Sequence, residues 1–160
     1  MGPMYVMDET DRLIINMLVN DGRMSASEIA RQVGDISERS IRYRIDRMLE
    51  VGVMKIKAIP NPKNLGFIVV ADVWLEVESG MVQEVAERIA KLDCVSYVAT
   101  SIGERDVSVQ VVAHSNEEVY AIATEVFGRI PGVRKTTTSI VPIVLKDVYD
   151  WKVPEGPCIK

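Results

Sequence analysis

Histidine and cysteine are nearly missing from this chain, which carries one His and two Cys in 160 residues. Cys94 and Cys158 stand far apart with no metal-ligand spacing around them. That excludes a disulfide framework and a zinc cluster, and it fits reduced thiols in a cytoplasmic protein. The lone His114 closes an expected strand, where a packed or surface role fits better than catalysis. No Ser/His/Asp set, metal-ligand cluster or Gly-rich phosphate loop is present, so neither an enzyme nor a cofactor is expected. No apolar run approaches the roughly 20 residues of a membrane span. Met1 to Thr10 lacks the basic-then-apolar plan of a secretion signal. The expectation is a cytoplasmic protein with no membrane partner.

What is present is an ordinary folded composition, with nearly half the residues apolar and a net charge of -4. The charge is unevenly spread. Residues 1–60 balance nine basic against nine acidic side chains, whereas residues 61–160 carry the whole deficit. Within 37–57, six basic residues face three acidic ones. A local basic patch on an acidic protein remains a usable phosphate footprint.

That patch lies on the segment S-E-R-S-I-R-Y-R-I-D-R-M-L-E at 37–50. A 3.6-residue period puts Ile41, Ile45, Met48 and Leu49 on one stripe and Arg39, Tyr43 and Arg47 opposite, with Arg42 on a flank. Ser37 is placed to cap the helix. Taken alone, the segment also reads as a solvated amphipathic helix. Its neighbours tip the balance. Asp8 to Asn20 forms a first helix, capped by Asp8 or Thr10, with Leu13, Ile14, Met17 and Leu18 on one face. Ser25 and Glu28 fit a capping box for a short second helix burying Ala26, Ile29, Ala30 and Val33. Gly34-Asp35-Ile36 makes a tight turn before Ser37, so the arginine cluster falls on the second helix of a helix-turn-helix.

In that motif the second helix enters the major groove of double-stranded DNA. Arg39, Ser40 and Tyr43 are the candidates for base contacts, from a stretch that starts at Ser37. Arg42, Arg44 and Arg47 are the candidates for phosphates, with Arg44 nearest the core side. Gly52 ends the helix, and Lys55 to Ile59 alternates like a wing strand. The first domain is therefore a winged helix-turn-helix over 1–60, followed by an Asn61 to Gly66 linker.

Residues 67–147 change period. Strands are expected at Phe67 to Glu78, Val95 to Ile102, Val107 to Ala113 and Val133 to Leu145. Helices are expected at Met81 to Leu92 and Glu117 to Gly128, the second capped by Asn116. The order β-α-β-β-α-β predicts a ferredoxin-like α+β sandwich. Pro142 suits an edge strand. The sheet face away from the helices is expected to carry Val, Ile and Trp, and hence to bury itself in a homodimer. Residues 148–160 read as a tail that crosses to a partner subunit.

The sequence resembles the leucine-responsive regulatory protein, or Lrp/AsnC, family of transcriptional regulators. The matching stretches are M-D-E-T-D-R-L-I-I-N-M-L at 7–18, S-A-S-E-I-A-R-Q-V-G at 25–34 and the helix with its exit at 37–53. They continue with N-P-K-N-L-G at 61–66, I-G-E-R-D at 102–106 and T-T-T-S-I-V-P-I-V-L-K-D at 136–147. The resemblance implies dimers that assemble further, often into octamers. It also implies a C-terminal domain taking an amino acid or similar small molecule at an interface between dimers, a site partly formed by a G-x-x-D turn, here Gly103 and Asp106, with hydroxyls from Thr136 to Thr138 nearby. On this reading Asp106 would pair with an α-ammonium group. Arg105 stands where many relatives carry an aromatic residue, and it either pairs with Asp106 or selects an acidic ligand. A plain hairpin turn accounts equally for the local sequence. Sirohaem decarboxylases, which resemble this family, supply an enzymatic alternative, and an effector-sensing oligomer without DNA binding supplies another.

Overall fold

The computed structural model describes residues 5–159. Met1–Met4, part of the expected first domain and of the leader reading, and Lys160 at the end of the expected tail lie outside the described residues. The chain divides into two compact units. One is built from the chain up to Ile59 together with the segment from Leu145 onward, and the other from Pro60–Val144.

The first unit holds three helices, α1 (Glu9–Asn20), α2 (Ala26–Val33) and α3 (Glu38–Glu50). Each starts on a side-chain cap. Asp8 and Asp11 form a reciprocal box at α1, while Ser25 and Ser37 accept from Glu28 N–H and Ser40 N–H at 3.2 Å. The expected box at α2 is only half made, because the Glu28 carboxylate lies 3.6 Å from Arg31 instead. Gly34 and Asp35 turn the chain between α2 and α3 with φ of +73° and +48°. Glycine takes that region freely, and Asp is among the few other residues that tolerate it. After α3, Val53 N–H returns to Met48 C=O and Gly52 N–H to Leu49 C=O, closing the helix with a Schellman motif.

Ile14, Ile29, Ile41 and Met48 are wholly buried and form the seam between the helices. Leu49, expected on that seam, is exposed. Ile41 and Met48 lie two turns apart on one line, and Leu49 is rotated about 100° from Met48. The expected wing does not form: among the described residues, no strand occurs in this unit and Lys55–Ile59 stays unpaired.

The second unit is one antiparallel sheet in the order β2-β3-β1-β4, from β1 (Val69–Val77), β2 (Val95–Thr100), β3 (Val107–Ala113) and β4 (Val133–Ile140). Helices α4 (Val82–Ile89) and α5 (Asn116–Ala121) cover one face. α5 runs on into a π-helical turn, Ile122–Phe127, in which Gly128 N–H reaches Ala123 C=O at 3.1 Å. Ser115, not Asn116, caps α5, accepting from Glu118 N–H at 3.2 Å. β4 is an edge strand as expected, but it stops two residues before Pro142, which disfavours a continued ladder.

Alternation along β1 sends Ala71, Val73, Leu75 and Val77 to the helices, where they meet Val107, Val109 and Val111 of β3. The opposite face is therefore not the apolar surface expected. It carries Asp72, Trp74 and Glu76 beside Ser108, Gln110 and Thr137, with Val70 and Val112 as its valines. Gln110 donates to Asp72 at 3.1 Å, and Lys135 pairs with Glu76 at 3.0 Å. Most valines of these strands sit in the inward phase of a two-residue period, which leaves the other phase mixed.

Candidate nucleic-acid interface and effector turn

Helix α3 presents Arg39, Ser40, Tyr43 and Arg47 along one side of the helical unit. All four are exposed, Tyr43 by 64%. Beside them runs a concave notch of about 540 Å³, whose other wall is the segment Tyr5 to Asp11. Among the described residues Arg39 and Arg47 make no ion pair, so their guanidinium donors stay available to an anion. Arg47 lies over the Tyr5 ring at 5.5 Å, a cation–π arrangement. Ser37 and Ser40 share a hydroxyl contact at 3.0 Å, and Ser37 also holds the cap. Arg42 pairs with Glu38 one turn back, an exposed bond that a phosphate could displace.

Arg44 has a different occupation. Its Nη1 donates to Asp8 Oδ2 and to Asp11 Oδ1, both at 2.7 Å. Asp11 is 2% exposed and also accepts the Tyr5 hydroxyl at 2.9 Å. Its bonds to Asp11 and then Asp8 raise the Arg44 pKa. The Asp8 carboxyl is lowered, first by Asp11 N–H and then by Arg44. Burial, and next the bond to Asp11, raises the Tyr5 phenol. This network ties the start of α1 to the middle of α3 and sets how the arginine face is presented. Periodicity does not reveal it, since Asp11 reads as an ordinary first-turn acid. The only local signal was the position of Arg44 near the core side.

At the turn between β2 and β3, Gly103 has φ +144° with nothing within 4 Å of where a Cβ would stand. Its glycine answers to backbone conformation, not to a close neighbour. Asp106 Oδ2 accepts Val77 N–H at 2.7 Å, and its own N–H donates to Leu75 C=O at 3.0 Å. One carboxylate oxygen is thus engaged in lengthening the β1–β3 ladder. Arg105 does not pair with Asp106. Its guanidinium lies 4.4 Å from the Trp74 ring centroid, on the sheet face away from the helices. Thr136 and Thr138 pair with Leu75 and Val73 and share their helix-side face, whereas Thr137 pairs with Trp74. β1 separates the threonines from Asp106 by two strand spacings, about 10 Å. Within one chain, Gly103, Arg105 and Asp106 cluster, and the threonines stand apart from them.

His114 stacks on Phe67 with ring centroids 4.3 Å apart, and its Nδ1 lies 2.9 Å from Glu118. It is a packed surface residue. Cys94 and Cys158 are free thiols, the first raised in pKa by burial. Among the described residues, no helix is long and apolar enough to cross a membrane.

Residues 7–49 match the AsnC-type helix-turn-helix domain, and residues 70–149 match the Lrp/AsnC ligand binding domain. An HTH-type transcriptional regulator of Pyrococcus furiosus is 37% identical over 145 residues, covering 90% of this chain and 97% of that protein. The HTH-type transcriptional regulator FL11 of Pyrococcus abyssi is 36% identical over 136 residues, covering 84% and 89%. The fold is shared with AsnC of E. coli at a TM-score of 0.81 and 22% identity, over 91% of this chain and 99% of that one. It is shared equally with a Neisseria meningitidis regulator in complex with L-Met, at a TM-score of 0.81 and 19% identity, over 89% and 94%. The chain belongs to the Lrp/AsnC family of transcriptional regulators, a family of DNA-binding proteins and not of enzymes.

Proposed function

We propose that this regulator reads its operator with α3 in the major groove. Arg39, Ser40 and Tyr43 meet base edges, Ser37 anchors the helix start, and Arg42 and Arg47 hold phosphates. The observation that carries this is one exposed side of a capped second helix bearing Arg39, Tyr43 and Arg47 without ion pairs among the described residues. Arg44, bound to Asp8 and Asp11, positions the helix instead of touching DNA. The protein works where its DNA is, in the cytoplasm. A second copy places two such helices on a near-palindromic site. Ile56 and Ile59, exposed on the unpaired segment after α3, support such an association and its extension to larger assemblies.

The second domain takes an amino acid or similar small molecule at the Gly103–Asp106 turn. The exposed Arg105 guanidinium over Trp74 would receive its carboxylate, and the remaining Asp106 oxygen its ammonium. Thr136 and Thr138 would have to come from a neighbouring copy, given their place across β1. The L-Met complex of the Neisseria relative supports an amino acid as the class of ligand.

Binding sites selected from a random duplex pool, titrated across a salt series, test the DNA reading. Arg42→Ala is expected to weaken all sequences alike and to flatten the salt slope by about 1. Arg39→Ala is expected to relax preference at particular base pairs, by about 1–3 kcal/mol. Wild-type binding by both variants would show that the assigned face is wrong. Isothermal titration with the twenty amino acids, repeated on Arg105→Ala, tests the effector turn.

A further inference from the structure

The segment from Leu145 onward groups with the helical unit of its own chain. Asp147 and Asp150 box a short 3-10 turn, Val148–Asp150, and the chain then lies along α1. There the side-chain amide of Asn16 makes both hydrogen bonds a strand partner would make. Nδ2 donates to Val153 C=O at 3.0 Å, and Oδ1 accepts Val153 N–H at 2.8 Å. Val153 is half-buried against the helical core, although Trp151 and Tyr149 before it are exposed. Pro154 holds Val153 away from helical backbone, in the extended form the amide pair requires. One turn earlier on α1, Arg12 bonds Glu9 at 2.8 Å and Glu155 at 3.2 Å, with its side chain only 12% exposed.

Asn16 is otherwise out of place. It is the one polar residue in the run from Leu13 to Val19, and asparagine is a poor residue for a helix interior. Recognition of Val153 explains it. The helical unit also needs the help: among its described residues five apolar side chains are buried, and a domain of about 60 residues buries a smaller share of its surface than a larger one does.

We propose that residues 147–155 form a strap that completes the DNA-binding domain by docking on α1 through Asn16. β4 ends at Ile140, so only a few residues separate the last strand of the ligand-binding domain from the strap. The strap is therefore a second covalent line to the helices, besides the linker after Ile59. The strap's part in DNA binding rests on the function proposed above. Its docking does not.

The test needs no DNA. A variant ending at Asp147 is expected to lose the helical unfolding transition at a temperature at least about 5 °C below that of the full chain. A peptide of residues 148–159 at about 1 mM, the effective concentration of a short tether, is expected to restore it. Asn16→Leu, which favours the helix, separates docking from folding: it is expected to keep full helicity at low temperature and to abolish the peptide's effect. Unchanged unfolding on truncation, or equal rescue of Asn16→Leu, would overturn the strap. In samples mixing labelled and unlabelled chains, nuclear Overhauser effects between the Asn16 side chain and Val153 across two chains would overturn docking within one chain. Failure of the full chain to bind any duplex would defeat the operator reading and leave these outcomes intact.

Discussion

The two units are held together in different ways. Among the described residues, the sheet unit has sixteen buried apolar residues, drawn mainly from β1, β3 and the helices that cover them, Phe127 and Leu75 among them. The helical unit has five among its described residues, and around them it sets polar devices: Arg44 between Asp8 and Asp11, and the Asn16 amide on Val153. Apolar packing is tolerant of direction, whereas a paired amide or a shared carboxylate fixes one geometry. A helix that must meet a groove at a set angle gains from the second kind of contact. A platform that presents a turn can rest on the first.

Substitutions separate the two regimes. The largest effect is expected for Phe127→Ala, which empties a wholly buried aromatic site and should destabilise the sheet unit by about 4 kcal/mol, read by denaturant unfolding of that unit. Arg44→Ala should follow. It leaves Asp11 buried without its cation and should cost the helical unit about 3 kcal/mol, with operator affinity falling while the salt slope stays unchanged. A reduced slope would return Arg44 to the phosphate contacts. Asp106→Ala frees the buried end of Val77 N–H and should cost the sheet unit about 1.5 kcal/mol, even with no ligand present.

The smallest effect is on pH dependence. The folded Asp8 carboxyl sits below its ordinary value, so its stabilisation is complete above that value and disappears as pH falls from about 4 through the folded pKa. Helical-unit stability should therefore drop in that acid window, and less steeply in Arg44→Ala. Equal pH profiles would separate Asp8 from the network.

Much of this was legible in the chain because it is local. A cap such as Ser37 acts on an amide three residues away, and the alternation of Val73, Leu75 and Val77 needs no partner to be seen. The Gly103–Asp106 turn was legible as a turn for the same reason. What escaped were relations between distant residues. Leu49 read as core because a helical stripe has no marked edge. The sheet's outer face read as apolar because counting valines does not tell which phase of the strand each occupies. Thr136 and Thr138 read as near Asp106 because strand order is invisible until β1 is found between them.

The sequence by itself determined the helices and strands apart from the expected wing, the order β-α-β-β-α-β behind a helix-turn-helix, and the arginine face of α3, since each follows from spacing within a few residues. Only the tertiary structure decided that Arg44 belongs to Asp8 and Asp11, that Arg105 lies on Trp74, and that Val153 returns to Asn16. Those pairs join residues 31 to 137 positions apart. No local propensity selects such partners. They are chosen when burial brings a charge or an amide to a place where one group alone can satisfy it.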